Sequence, residues 1–233
     1  MLLLKQFFID TLHLFYPAFC LGCGSDLIKN NELLCLRCII SLPHTGFEKM
    51  PENPVEKIFR GRADIKAAHS EFYFSKGQVI QQLIHQLKYK GNKEAGIFLG
   101  KMMANKLLDS RYFADIDFLI PLPMFPAKEF KRGYNQATVI CNGMSEVMNI
   151  PVSLNNVVRC IPTETQTRKH RTERWENVAE SFRVNFPALL EGKNILLVDD
   201  VLTTGATLEA CCLAISAIPR ISVSLATLAI ASK

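Results

Sequence analysis

Beyond its N-terminus, this chain of 233 residues has no run of about eighteen uninterrupted apolar residues, so no transmembrane helix is expected there. The N-terminus itself, MLLLKQFFIDTLHLFYPAFC, is apolar, but Lys5 and Asp10 interrupt it and no small-residue cleavage site follows. That argues against a secretory signal. Leu4, Phe8, Leu12 and Phe15 recur at helical spacing instead, which predicts an amphipathic helix over residues 1–19. The sequence has no internal repeat and no low-complexity tract. Strong charge is missing too: 27 Lys and Arg against 22 Asp and Glu leave +5, with pI near 8.8. A balance this mild suits a polyanionic ligand without requiring nucleic acid. What is present, 48% hydrophobic and 21% charged residues, describes a globular protein of one or two domains and excludes a disordered chain. The expected compartment is the cytosol.

The eight cysteines fall into two groups. Cys20, Cys23, Cys35 and Cys38 form C-x2-C-x11-C-x2-C, and Gly22 and Gly24 permit the tight turns that such knuckles need. Two Cys-x-x-Cys knuckles can give four thiolates to one tetrahedral Zn²⁺, a closed and therefore structural site. A pair of disulfides and a redox Cys-x-x-Cys are the alternatives. A reducing cytosol disfavours the first, and the second would not need both knuckles. Cys141, Cys160, Cys211 and Cys212 read as core residues, because free cysteine packs as a small hydrophobe.

Residues 41–56 hold Pro43, Gly46, Pro51 and Pro54 and read as a linker. Ala63 to Ser75 predicts a strand or hairpin, and Val79 to Leu87 a helix closed by Gly91. A second helix covers Glu94 to Leu108. A strand at Ile116–Ile120, a helix at Tyr134–Met148, a possible strand at Val157–Cys160 and a closing strand at Val223–Ile230 follow. Residues 161–172 are polar and predict a long mobile loop. Strands alternating with helices indicate an α/β fold with a mostly parallel sheet flanked by helices.

The most informative segment is Ile195-Leu-Leu-Val-Asp199-Asp200-Val201-Leu202-Thr203-Thr204-Gly205-Ala206-Thr207. Ile195 to Val198 predicts a strand buried on both faces. Two carboxylates then stand at its carboxyl end, where open α/β sheets bind ligands. The small, hydroxyl-rich turn leads into a helical pattern from Leu208 to Ile218, so its N–H groups can cradle a phosphate. Carboxylates beside a phosphate cradle suit a phosphorylated sugar. The string resembles the phosphoribosyl pyrophosphate (PRPP) signature of type I phosphoribosyltransferases.

Two further segments are basic. After the strand at 116–120, Pro121-Leu-Pro123-Met-Phe-Pro126 leads to Lys128, Lys131 and Arg132, cations at a helix entrance that suit a pyrophosphate. Thr165, Gln166, Arg168, Arg171, Arg174, Trp175 and Asn177 lie in and after the polar loop, which could close over a ligand and exclude water. Lys88-Tyr89-Lys90-Gly91 is sufficiently explained as a helix end with a glycine cap.

Taken together, the four cysteines, Lys88 to Gly91, Arg132-Gly-Tyr134-Asn-Gln-Ala137, Thr165/Gln166 with Arg171 to Asn177, and Ile195 to Thr207 resemble the ComF family of phosphoribosyltransferase-like proteins. Tyr134 stands where phenylalanine is expected. The resemblance implies a type I phosphoribosyltransferase fold with an N-terminal zinc finger. It divides the chain into a helix and zinc finger (1–45), a hood or linker region (46–110) and a core (111–233). It also implies a link to natural transformation, with competence proteins or a DNA-uptake helicase as partners. In the transferase it implies, Asp199 and Asp200 hold the ribose hydroxyls, directly or through Mg²⁺. Thr203 to Thr207 anchor the 5′-phosphate, Val201 and Leu202 also belong to the PRPP site, Lys128 and Arg132 receive pyrophosphate, and Arg168 or Arg171 completes closure. The acceptor is not apparent: no segment after the last strand is expected to form a base-binding hood, and no constellation before residue 110 reads as a base pocket. A PRPP-sensing accessory protein that binds single-stranded DNA is the alternative. Its contacts would come from Lys128, Phe130, Lys131, Tyr134, Arg168, Arg171, Arg174 and Trp175.

Overall fold

Ile195, Leu196, Leu197 and Val198 have no exposed surface, and they form the first half of an interior strand of the main sheet, β5 (Asn194–Leu202). The computed structural model describes residues 19–26, 28, 32–160 and 181–231. The N-terminal helix expected over 1–19, apart from Phe19, and the loop expected over 161–172 lie outside the described residues. Four strands form the main sheet in the order β1 (Ala67–Phe74), β6 (Ser222–Ala231), β5, β2 (Phe118–Pro121), and all neighbours are parallel. Parallel neighbours need crossovers, and helices supply them. The expected α/β architecture is therefore the observed one.

Alternation along β5 sorts the helices into two layers. Leu196 and Val198 face one core with Leu83, Leu87, Leu99, Met103, Ile140 and Met144. Those residues come from α3 (Val79–Tyr89), α4 (Lys93–Leu108) and α6 (Gln136–Met148). Ile195 and Leu197 face the other core with Phe59, Phe182, Leu208 and Ile215. These lie on α2 (Pro54–Phe59), on β4 (Phe182–Val184), which pairs antiparallel with β3 (Val157–Arg159), and on α7 (Ala206–Ser216). α4 and α6 touch backbone to backbone. A Cβ on Gly100 would collide with the Ile140 carbonyl, and one on Gly143 with that of Ile97.

Both sheet edges are covered, which removes the free pairing groups an edge would present. Pro43 and Thr45 bond the outer side of β1 (Tyr73 N–H to Pro43 O, 2.8 Å; Thr45 N–H to Glu71 O, 3.0 Å). Residues 151–153 do the same for β2 (Leu119 N–H to Pro151 O, 3.0 Å). The expected linker at 41–56 is thus a packed segment. Phe47, Asn53 and Val55 are buried, and Asn53 caps α2 while its amide donates to Ala68 O at 2.8 Å. The prolines shape this segment without making it a spacer. The cysteine reading needs one correction, since Cys141, Cys211 and Cys212 are buried but Cys160 is exposed.

The four N-terminal cysteines converge, with their sulfurs within 4.8 Å of one another. Cys35 and Cys38 flank and occupy the short helix α1 (Leu36–Ile40), and the Cys35 N–H donates to Cys20 Sγ at 3.3 Å. Burial pushes the Cys20 thiol up, but N–H groups of Cys35, Cys23 and Gly22 pull it down further, to about 6. Burial and the neighbouring sulfurs raise Cys38. Four clustered sulfurs, one of them already favoured as thiolate, suit a structural metal such as zinc. Gly22 lies so close to Val79 that a Cβ would meet its methyl at 2.9 Å, which seats the cysteine module on the first residue of α3.

Candidate functional site

β5 runs four residues past Val198, so Asp199 and Asp200 belong to the strand itself rather than to the loop after it. Their side chains leave in different directions. Asp200 is buried and pairs with Lys88 Nζ at 3.0 Å, while Asp199 is mostly buried and accepts from the Asp200 N–H at 2.8 Å. Burial, then the neighbouring Asp200 charge, lifts the Asp199 carboxyl to about 7. The Asp200 N–H, Lys88 and Lys128 act against that rise.

Beyond Leu202 the chain turns through Thr203 and Thr204 to Gly205, whose φ of +77° places it in the left-handed region as the residue before α7. A side chain here would be strained, and its Cβ would sit 3.0 Å from the Phe59 ring. Val201 to Leu208, with Asp199, line a small recess of about 40 Å³ at the start of α7. Asp199 and Thr207 are shared with a larger cavity of about 300 Å³.

The opposite wall of that cavity comes from three other segments. α5 (Pro126–Arg132) presents Lys128 and Arg132 four residues apart on one face, and Gly133 ends it with φ +86°. Arg132 donates to Gln136 Oε1 at 2.7 Å and lies over the Tyr89 ring at 5.8 Å. The end of α3 supplies Lys88 and Tyr89, and the Tyr134 hydroxyl donates to the Leu87 carbonyl, fixing that helix end to the α5–α6 turn. Asn135 ties the same turn to the β2 exit by donating to Leu122 O at 2.9 Å while capping α6. Arg159, on β3, completes the wall over the Phe182 ring at 5.3 Å. Burial draws its pKa below the usual guanidinium value, against the pull of Cys211 and Asp199. Lys88, Lys128, Arg132 and Arg159 thus face Asp199 and Asp200 across one cavity, a surplus of positive charge suited to an anionic ligand.

Of the residues expected from the sequence, Asp199, Asp200, Lys128, Arg132 and Thr207 meet at the larger cavity, and Val201 to Thr207 at the recess. Lys131 lines neither, and Phe130 is 91% exposed. Tyr134 precedes α6 rather than starting it, and its hydroxyl is engaged with Leu87. Thr165, Gln166, Arg168, Arg171, Arg174, Trp175 and Asn177 lie outside the described residues. The sequence reading missed Lys88 and Tyr89 as cavity residues, because a glycine-capped helix end already explained them. It missed Arg159 because a single arginine in a three-residue strand carries no spacing signal.

No family model matches the chain. DNA utilization protein YhgH of Escherichia coli is 28% identical over 131 residues, 55% of this chain and 57% of that protein. Competence protein F of Haemophilus influenzae is 35% identical over 97 residues, 39% of this chain and 40% of that protein. Competence protein ComFC of Bacillus subtilis is 27% identical over 194 residues, covering 82% and 74%. The chain therefore spans little more than half the length of the YhgH proteins it matches. Among solved structures, a glutamine PRPP amidotransferase from B. subtilis has a TM-score of 0.42 at 18% identity, covering 58% of this chain and 26% of that one. An adenine phosphoribosyl transferase from Trypanosoma brucei has a TM-score of 0.38 at 13% identity, covering 78% and 82%. Both scores are low, and the fold rests on the strand order and layering described above.

Proposed function

We propose that this chain, which belongs with the ComF competence proteins, binds PRPP with Mg²⁺ and acts in DNA uptake, transferring the phosphoribosyl group to an acceptor. The observation that carries this reading is the cavity itself. A carboxylate pair and a glycine-turned helix start face four cations across about 300 Å³, a volume at the small end for ligand sites.

In this reading the recess between Val201 and Thr207 takes the 5′-phosphate on backbone N–H groups at the start of α7. Asp199 and Asp200 take the ribose hydroxyls. Lys128, Arg132 and Arg159 take the pyrophosphate, whose departure breaks the C1–oxygen bond as the acceptor's lone pair forms the new one. Mg²⁺, held by the carboxylates and the ligand's own oxygens, would neutralise charge on the leaving group. The transition state is cationic at C1, and Asp199 and Asp200 are the carboxylates beside it. Lys88 holds Asp200 in place while the site is empty. The segment 1–45 then serves as metal module, while 46–110, which supplies β1 of the main sheet and α3 and α4 of its core, joins 111–233 in holding the ligand. Arg168 or Arg171 would complete closure of the site.

A second reading is favoured by exposed aromatics beside basic residues. Tyr89 (67% exposed) lines the cavity next to Lys88 and Lys90, and Phe130 (91% exposed) precedes Lys131 and Arg132 on α5, a mixture of rings and cations of the kind on which single-stranded DNA stacks. In that case the cavity senses PRPP without turnover. Calorimetry with PRPP and Mg²⁺ separates these from no binding at all. Asp199→Asn with Asp200→Asn should remove the heat of binding, and unchanged binding would contradict the ligand assignment. Pyrophosphate release with bases, ammonia or nucleic acid supports the enzyme. Salt-dependent DNA binding without release supports the sensor.

A further inference from the structure

Outside both cavities, one arginine grips the phosphate loop from behind. Arg62 lies in the turn between α2 and β1, more than 140 residues before the loop it touches (|i−j| = 142 to Thr204). Its Nη1 donates to the Thr204 carbonyl at 3.0 Å and to the Ile58 carbonyl at 3.2 Å. Its Nε donates to Glu209 Oε2 at 3.2 Å, and Nη2 is paired with the same oxygen. Glu209 is in the first turn of α7 and its side chain is only 11% exposed. Ile58 and Phe59, from the same stretch of chain, lie against the position a Cβ on Gly205 would occupy.

We infer that Arg62 is a positioning residue for the phosphate cradle, and that it makes the cradle anion-competent by neutralising Glu209. This rests on the phosphate reading of the recess. Two physical arguments support it. In a planar trans peptide the C=O and the following N–H point in opposite directions. Arg62 holds the Thr204 carbonyl and lines neither cavity, so the Gly205 N–H is turned away from Arg62, toward the recess that Thr203 to Thr207 enclose. Secondly, a buried carboxylate in a helix's first turn uses the same positive end that a phosphate needs. Paired with a guanidinium on two of its donors, Glu209 no longer repels the ligand. Lysine has no fork with which to hold a carboxylate and two carbonyls together, so Arg62→Lys is not conservative here.

The test uses the full chain, with ribose 5-phosphate and inorganic pyrophosphate as separate probes, and amide hydrogen exchange on the free protein. Arg62→Lys and Arg62→Gln should weaken ribose 5-phosphate by about tenfold or more, the cost of a lost charged hydrogen-bond set. Pyrophosphate, which meets Lys128 and Arg132, should be unaffected. Exchange should quicken in residues 203–208 and not in β5 or β6. Adding Glu209→Gln to Arg62→Gln should recover part of the ribose 5-phosphate affinity, because the unpaired carboxylate is gone. Equal losses for both probes, or exchange in 203–208 unchanged, would overturn the inference. If the parent protein binds no ribose 5-phosphate, the phosphate reading fails by itself, and the exchange result alone decides whether Arg62 sets the loop.

Discussion

The two walls of the cavity are built in different ways. One is a single stretch of chain, Asp199 to Thr207, in which strand, acids, turn and helix start follow without a break. The other is assembled from the end of α3, the α5–α6 turn and β3, brought together by Tyr134 on Leu87 and Asn135 on Leu122. The first wall depends mostly on local chemistry, and damage elsewhere than at Arg62 and its partner Glu209 should leave it standing. The second depends on packing, and remote changes should reach it.

Metal removal should separate the walls most widely. The cysteine module rests through Gly22 on Val79, at the start of the helix that ends in Lys88 and Tyr89. Structural zinc contributes about 10 kcal/mol in small zinc modules. A chelator, or Cys35→Ser, should therefore release the metal, measured by atomic absorption, and raise hydrogen exchange through α3. Exchange in residues 199–207 should stay as it was. Equal loosening of both walls would break the comparison.

Gly100→Ala comes next. It forces α4 from α6 at a backbone contact and should cost about 1–3 kcal/mol of stability in urea melts, as other overpacked cores do. Because α6 begins at the capped α5–α6 turn, pyrophosphate affinity should fall with it. Lys88→Met removes the partner of a mostly buried Asp200 and should cost about 1–2 kcal/mol, discounted for the partial exposure of the lysine. A melt unchanged by Lys88→Met would mean that this wall contributes nothing to the empty protein.

The last effect is one of pH, and it belongs to the local wall. Asp199 has its folded pKa raised to about 7, so the folded protein keeps a proton that the unfolded chain has lost. For this group the empty protein is therefore most stable below the unfolded value, near 4, and loses stability as pH rises toward 7. Binding of a Mg²⁺-bearing ligand needs the carboxylate and has the opposite slope. Affinity should rise about tenfold between pH 6 and 8 and then level. Asp199→Asn should flatten both curves.

The same contrast explains what could be read in advance. The strand begun at Ile195, the helix after Gly205 and the four-cysteine cluster follow from neighbouring residues, so periodicity and spacing found them, though β5 continues through Asp199 and Asp200 to Leu202, beyond the expected end at Val198. The segment at 41–56 read as a linker because its prolines are visible and its burial against β1 is not. Lys88 had a sufficient local explanation, and only the fold carries it to Asp200. Arg62 and Arg159 sit in short or irregular segments, where function comes from tertiary contact alone.

A structure of the protein crystallised with PRPP and Mg²⁺ tests the central claim most directly. The account predicts the 5′-phosphate in the recess against the Thr204–Thr207 N–H groups, the ribose hydroxyls at Asp199 and Asp200, and the pyrophosphate between Lys128, Arg132 and Arg159. A ligand bound elsewhere, or one lying in the cavity with its 5′-phosphate away from the start of α7, would contradict it.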